Sequence, residues 1–277
     1  MLPYRKHLAV LTILTLSAWV ATPPAAGAPD QPAGNAYVSV ELVTATDDFT
    51  KPFEVGLHFE MADGWHIYWK NPGEAGIPPK VTWNLPDGFT VTDLQYPIPS
   101  TYILGGIETF GYSKSALLTA TVTPPDGYEP AAGDAISADV DYLVCEAICL
   151  RAAASVSVPL TPEAARPGLF EQTSGAFPVA ATDSAFVANV STSSRGDRHT
   201  IDMTWRGPVA DVAFYPATTN ALGVEDVTVK AGDRRTTVTF TTKAYGEVPA
   251  SLETVLTFKD DKGQRHGVVV PVKTQGS

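Results

Sequence analysis

Apolar and polar residues alternate with a period of two along most of the chain. Successive side chains of a β-strand point to opposite faces, so this alternation predicts strands with one buried face. Clear examples are residues 36–45, 53–61, 116–125 and 136–145. Gly, Pro, Asp and Asn separate these runs at short intervals, as expected for antiparallel strands joined by turns. The pattern therefore predicts an all-β protein.

The alternation stops between residues 159 and 183, where prolines interrupt the chain; no clear strand or long helix is expected there, at most one short helical turn. Seven further alternating runs follow within residues 184–274. Seven short strands in about 95 residues match the size of an immunoglobulin-like β-sandwich. We therefore predict two such sandwiches, over residues 29–160 and 183–277, joined by a Pro-containing linker at residues 161–182.

The first 28 residues are predicted to be a cleaved secretory signal peptide. Arg5 and Lys6 precede an apolar run from residue 8 to residue 21, and small residues follow. The apolar run is too short to cross a bilayer comfortably, since about 20 residues are needed. Export to an oxidising compartment, as a protein that is soluble after cleavage, is the expected outcome.

Acidic residues outnumber basic ones, with 30 Asp and Glu against 19 Lys and Arg and a formal net charge of −11. The predicted signal peptide contains two of the basic residues and no acidic one, so the remainder is more acidic still. Nucleic acid and anionic membrane surfaces repel such a chain. No nucleic-acid partner is expected.

The only two cysteines, Cys145 and Cys149, lie in the segment YLVCEAICLR. Alternating residues lead into the first and away from the second, which predicts a β-hairpin with CEAIC at its tip. Facing residues in a non-hydrogen-bonded pair have Cα atoms about 4.5 Å apart, a distance that a disulfide accepts. An even number of cysteines in an exported chain also favours a disulfide.

The residues alone leave three uses of this pair open. The first is a purely structural bond in a non-redox binding module. Closing so short a loop contributes only ~2 kcal/mol in the chain-entropy model, against nearly 5 kcal/mol for a loop of about 100 residues, so such a bond would stabilise the fold little. Reversible thiol–disulfide exchange is the second use. Acidic residues such as Asp141 and Glu146 raise the pKa of a nearby thiol, so the bond would suit attack by the thiolate of a partner. The third is Cu(I) binding by the reduced pair with His66 or Met61; zinc is not expected, because no second Cys or His pair is spaced for four ligands.

A second unusual segment, GWHIYWKNPGEAGIPP, covers residues 64–79. Its alternation predicts a strand with Trp65, Ile67 and Trp69 on one face and His66, Tyr68 and Lys70 on the other. The sequence NPGE at residues 71–74 predicts a tight turn, with Pro at its second position and Gly at its third. Taken alone, the alternation favours tryptophans in a hydrophobic core.

Three separated segments together resemble a known family. Residues 64–89, 96–113 and 140–150 resemble, in this order and spacing, the amino-terminal periplasmic domain of the DsbD family of disulfide reductases. The similarity extends over residues 38–160 and is greatest to the ScsB, or suppressor-of-copper-sensitivity, branch. This resemblance implies an immunoglobulin-like domain in the periplasm that exchanges electrons with thioredoxin-like proteins.

The resemblance also implies roles for individual residues. Cys145 and Cys149 match the redox pair of the family; by analogy Cys149 forms the mixed disulfides and Cys145 resolves them. A cap shields the pair in these proteins, and the candidates here are Trp65, His66, Tyr68 and Trp69. No cofactor is implied. The family also carries a membrane electron conduit and a thioredoxin-like domain, which we expect separate proteins to supply, and the ScsB branch suggests copper tolerance as an alternative role.

Overall fold

The strands of the first half lie close to the predicted positions. The computed structural model describes residues 32–218 and 221–274, so the predicted signal peptide lies outside the described residues. The first ten strands are β1 (Val38–Thr44), β2 (Phe53–Met61), β3 (His66–Gly73), β4 (Lys80–Asn84), β5 (Thr90–Val91), β6 (Ser100–Leu104), β7 (Ile107–Ser113), β8 (Ser115–Thr123), β9 (Ala135–Cys145) and β10 (Cys149–Pro159). They form two sheets, ordered β1-β2-β8-β5 and β10-β9-β3-β7-β6, and β4 pairs with β9 beside the second sheet.

The second half forms another pair of sheets, ordered β11-β18-β17-β14 and β12-β13-β16-β15. Its strands are β11 (Val179–Ala180), β12 (Val187–Arg195), β13 (Arg198–Trp205), β14 (Ala210–Pro216), β15 (Leu222–Ala231), β16 (Arg235–Ala244), β17 (Ser251–Lys259) and β18 (Arg265–Lys273). The seven predicted strands correspond to β12–β18. The all-β prediction is confirmed. We call the sheets of β1–β10 the first sandwich and those of β11–β18 the second sandwich.

Both sandwiches bury the apolar face that the alternation predicts. The core of the first sandwich lies between its two sheets and contains Phe59, Ile67 and Trp69, each at most 1 % exposed. The same cluster includes Tyr215 and Val255 of the second sandwich. Burial of apolar surface therefore continues across the boundary between the sandwiches and stabilises their contact.

The segment predicted as a linker packs against the first sandwich and adds a strand to the second. It contains a seven-residue helix, α1 (Pro167–Thr173), between two 3₁₀ turns, and ends in the short strand β11, which pairs in parallel with β18. Phe170 of α1 is buried against Val43 and Leu117. The short helix agrees with the helical turn expected there, whereas β11 was not predicted, because its pairing depends on β18 and not on a local pattern. The division into domains at residues 160 and 183 stays a prediction.

The turn predicted at residues 71–74 lies inside the end of β3, where Gly73 has the positive φ, +85°, that the third turn position favours. Strand β3 continues to Gly73, and its register with β7 shifts between Tyr68 and Gly73, so that the strand bulges. Pro72 cannot donate a backbone hydrogen bond, and the side chain of Asn71 supplies local bonds instead. Its Oδ1 accepts from the Gly73 N–H at 3.1 Å, and its Nδ2 donates to the carbonyl of Pro216 at 2.6 Å. Local turn chemistry and a contact with the second sandwich thus stabilise this bulge together.

Strand β10 lies at the edge of its sheet but is covered by the chain ahead of β1. The side chain of Asn35 donates to the carbonyl of Ala153 at 2.8 Å and accepts from its N–H at 3.0 Å, as a neighbouring strand would. This blocks part of the edge against pairing with another chain. Among the described residues no helix has the length and hydrophobicity required to cross a membrane.

Candidate functional site

The two cysteines close the β9–β10 hairpin as the sequence predicts. The strands pair antiparallel from Ala135 opposite Pro159 to Cys145 opposite Cys149, and the two cysteines form a disulfide with their Cα atoms 4.2 Å apart. The N–H of Glu146 donates to the carbonyl of Ile148 across the tip at 3.1 Å. The predicted hairpin and pairing are confirmed, and the bond lies at the end of two long strands.

The two halves of the disulfide differ in exposure. Cys145 is only 1 % exposed, because β9 lies between β10 and β3 and His66 of β3 is its partner across the strands. Cys149 is exposed, because it begins the edge strand β10. Ile148 beside it is also exposed, at 63 %. Another protein can therefore approach the bond only from the Cys149 side.

Tyr68 provides a hydrogen bond to the buried sulfur. Its hydroxyl lies 2.8 Å from Sγ of Cys145, to which it donates, and 3.4 Å from Sγ of Cys149. Burial raises the pKa of Tyr68, so the hydroxyl keeps its proton and remains a donor near neutral pH. Tyr68 is 77 residues from Cys145 along the chain, and only the pairing of β3 with β9 brings them together.

A glycine leaves the space that the Tyr68 ring occupies. Gly76 has φ +114°, and a Cβ atom on it would lie 2.3 Å from Cε1 of Tyr68. Both the backbone conformation and the contact exclude larger residues. Gly76, in the GEAG sequence at the end of β3, was therefore a sequence signal for this site, although the alternation of apolar residues did not single it out.

His66 lies next to Tyr68 in a row of three aromatic rings. Its ring stacks on Tyr102, with centroids 4.5 Å apart and planes 7° apart, and meets the ring of Tyr68 nearly edge-on at 5.4 Å. Burial lowers the pKa of His66, which favours the neutral imidazole. Tyr102 belongs to β6 and was missed by the sequence reasoning, because its place beside His66 depends on the order of strands in the sheet.

The four residues predicted as cap candidates separate into two groups. His66 and Tyr68 lie at the disulfide, whereas Trp65 and Trp69 belong to the hydrophobic core on the other face of the strand. Trp65 stacks on Tyr37 with centroids 3.9 Å apart. The face assignment from alternation is therefore right. A shielding role for any of the four stays a prediction.

The residues proposed for Cu(I) are only partly brought together. His66 is the cross-strand partner of Cys145, but Met61 ends β2 in the other sheet and is buried in the core. Within residues 32–218 and 221–274, no group of three or more His, Cys, Asp and Glu side chains is arranged to hold a metal ion. Copper binding would require reduction of the disulfide first, and it stays a prediction.

Comparison with known proteins agrees with this geometry. Residues 38–160 match the family model described as the N-terminal part of thiol:disulfide interchange protein DsbD. The chain is also similar to the crystal structure of the N-terminal periplasmic domain of ScsB from Proteus mirabilis, with a TM-score of 0.66 and 21 % identity, over 88 % of this chain and 96 % of that chain. At this identity the structural likeness establishes a shared fold. No curated protein matches the chain in sequence.

Proposed function

We propose, because residues 38–160 match the family model of the DsbD N-terminal part, that the protein relays electrons between periplasmic thiol proteins through a reversible Cys145–Cys149 disulfide. The unequal exposure of the two cysteines is the observation that carries this proposal. One sulfur is open to a partner, and the other is buried and hydrogen-bonded by Tyr68. A bond that served stability alone would require neither feature.

The exchange begins with a thiolate of the partner, which attacks the exposed Sγ of Cys149. A new bond forms between the partner sulfur and Cys149, and the original disulfide breaks. The electron pair of the broken bond leaves on Cys145 as a thiolate. A second thiolate of the partner then attacks the partner's own sulfur in the mixed disulfide, which releases reduced Cys149 and an oxidised partner.

Tyr68 is placed to assist the first step. A departing thiolate gains negative charge, and hydrogen bonds to charged acceptors are stronger than those to neutral ones. The Tyr68 hydroxyl already points at Sγ of Cys145 from 2.8 Å, so no rearrangement is required as the charge develops. Run in reverse, Cys149 of the reduced protein attacks a disulfide in a downstream protein and Cys145 resolves the mixed disulfide.

The partner requires a low-pKa thiolate that can reach an exposed hairpin tip. Thioredoxin-like domains carry such a thiolate at a helix N-terminus, and we propose one as the electron donor or acceptor. Exposed Ile148 and Ala147 beside Cys149 offer a small apolar contact for it. A separate membrane protein would provide electrons to that partner.

Trapping of mixed disulfides tests this proposal. A Cys145→Ala variant keeps the exposed thiol and lacks the resolving one, so it is expected to accumulate a mixed disulfide with an oxidised thioredoxin-like protein. The matched Cys149→Ala variant keeps only the buried thiol and is expected to trap far less. Equal trapping by the two variants would contradict the assigned roles. A wild-type bond that stays oxidised below about −300 mV in thiol buffers would show a structural disulfide.

A further inference from the structure

Strand β6, which carries Tyr102 to the disulfide site, has little support within its own sheet. It is the last strand of the order β10-β9-β3-β7-β6 and pairs only with β7 there. The hairpin turns at Gly105 and Gly106, and the residues before the turn, Ile103 and Leu104, are 71 % and 53 % exposed. Within the sheet, β6 is held by β7 alone, and Tyr102 shares a side-chain hydrogen bond with Ser113 of β7. The start of the strand, ahead of Tyr102, has no second neighbouring strand and depends on contacts from outside the sheet.

The second sandwich makes polar contacts with the start of this strand. The guanidinium of Arg265, at the beginning of β18, donates to the carbonyl of Pro99 and to the hydroxyl of Tyr215, the latter at 3.3 Å. That hydroxyl also lies 3.1 Å from Oγ1 of Thr101, the residue before Tyr102. One end of the short segment that leads to Tyr102 is therefore bonded to Arg265 and the other to Tyr215, and these two side chains are bonded to each other.

Apolar contacts from the second sandwich also hold the segment ahead of Tyr102. The ring of Tyr215 meets Phe110 of β7 edge-on, with centroids 5.0 Å apart, and Trp69 of β3 at 6.1 Å. Ile98 fits against Gly267 of β18 so closely that a Cβ atom on the glycine would lie 2.2 Å from Cγ2 of Ile98. Tyr215 thus touches β3, β6 and β7, the three strands around the aromatic row.

We propose that the second sandwich positions the redox site: Arg265 and Tyr215 hold β6 so that Tyr102 stays stacked on His66 and shields the disulfide. The consequence would be protection of the disulfide from small thiols until a partner docks. This consequence rests on the proposed function. Arg265 and Tyr215 are positioning residues, because they act through Tyr102 and touch neither sulfur.

The test combines a spectroscopic measurement with a kinetic one. The His66 ring stacks on the Tyr102 ring, so the NMR shifts of the His66 ring protons report the stacking. Tyr102→Leu removes the ring and sets the full change in the shift. Tyr215→Phe keeps the aromatic packing but loses both hydroxyl contacts, and Arg265→Gln loses the charge. Both are expected to move the His66 signal in the same direction as Tyr102→Leu.

The rate of disulfide reduction by dithiothreitol is expected to rise in these variants. Loss of one or two hydrogen bonds shifts the balance between stacked and open rings by about two- to tenfold, and the rate should follow. Tyr245→Phe and Arg198→Gln change the same residue types at exposed positions of the second sandwich and should alter neither measurement.

The outcomes separate this inference from the proposed function. If Tyr215→Phe and Arg265→Gln leave the His66 signal and the rate at wild-type values while Tyr102→Leu changes both, the positioning role is wrong and the redox function stands. If the wild-type bond resists thiols below about −300 mV, the redox function fails, and the His66 signal still decides whether the second sandwich positions Tyr102. An unchanged rate in Tyr102→Leu would refute the shielding.

Discussion

Replacement of Tyr68 by Phe isolates the contribution of one hydroxyl to the exchange reaction. The ring, which packs against Gly76, is kept, and only the oxygen 2.8 Å from Sγ of Cys145 is lost. A hydrogen bond to a full charge is worth about 1.5–3 kcal/mol. If roughly half of that charge has developed on the leaving sulfur in the transition state, the barrier rises by about 0.7–1.5 kcal/mol. We therefore expect reduction of the disulfide to slow by about 3- to 13-fold.

The assay mixes oxidised protein with a dithiol at neutral pH, quenches with acid at set times and counts free thiols by alkylation. Tyr245→Phe is the control, because Tyr245 is exposed and lies in the second sandwich. The thermal midpoint should change little in either variant, since neither loses apolar packing. Exchange by Tyr68→Phe at the wild-type rate would refute the role of the hydroxyl, as would equal slowing in the control.

Three further predictions concern stability. Burial lowers the pKa of His199 below the unfolded value near 6.5, so the free energy of unfolding should be highest above that pH and fall on acidification. Greater resistance to urea at pH 5.5 than at pH 7.5 would contradict this. Gly111→Ala places a methyl group 2.0 Å from a backbone carbonyl of β3 and should lower the free energy of unfolding by about 1–3 kcal/mol in denaturant titrations. Gly168→Ala is the control: its methyl group would have no atom within 4 Å, so this variant should be neutral or slightly stabilising. Loss of both Cys145 and Cys149 to Ala should lower stability by only ~2 kcal/mol; complete unfolding would show that the bond is a major structural element.

The strands of this protein could be read from the sequence because their signal is local. In β9 the residues Ile136, Ala138 and Val140 are buried and alternate with less buried neighbours, as the pattern predicts. The strand bulge that contains the predicted turn at residues 71–74 could not be read in the same way. Its conformation depends on the bond from Asn71 to Pro216, a residue of the other sandwich.

Only part of the candidate site could be predicted from the alternation of residues. The hairpin tip follows from two alternating runs around the cysteines, since a short loop between strands forces them to face each other. The shared face of His66 and Tyr68 follows from alternation as well. Their contact with the disulfide, and the presence of Tyr102, follow instead from the position of β3 between β9 and β7.

The strand pattern, the hairpin with its paired cysteines and the match of residues 38–160 to a family model all come from the sequence. Each depends on neighbours in the chain or on motif spacing, which a linear pattern records. The tertiary structure alone decided which cysteine is exposed, which hydroxyl meets its partner and how Arg265 and Tyr215 support β6. These depend on the order of strands and on contacts between sheets, where residues far apart in sequence meet because burial of apolar faces brings whole strands together.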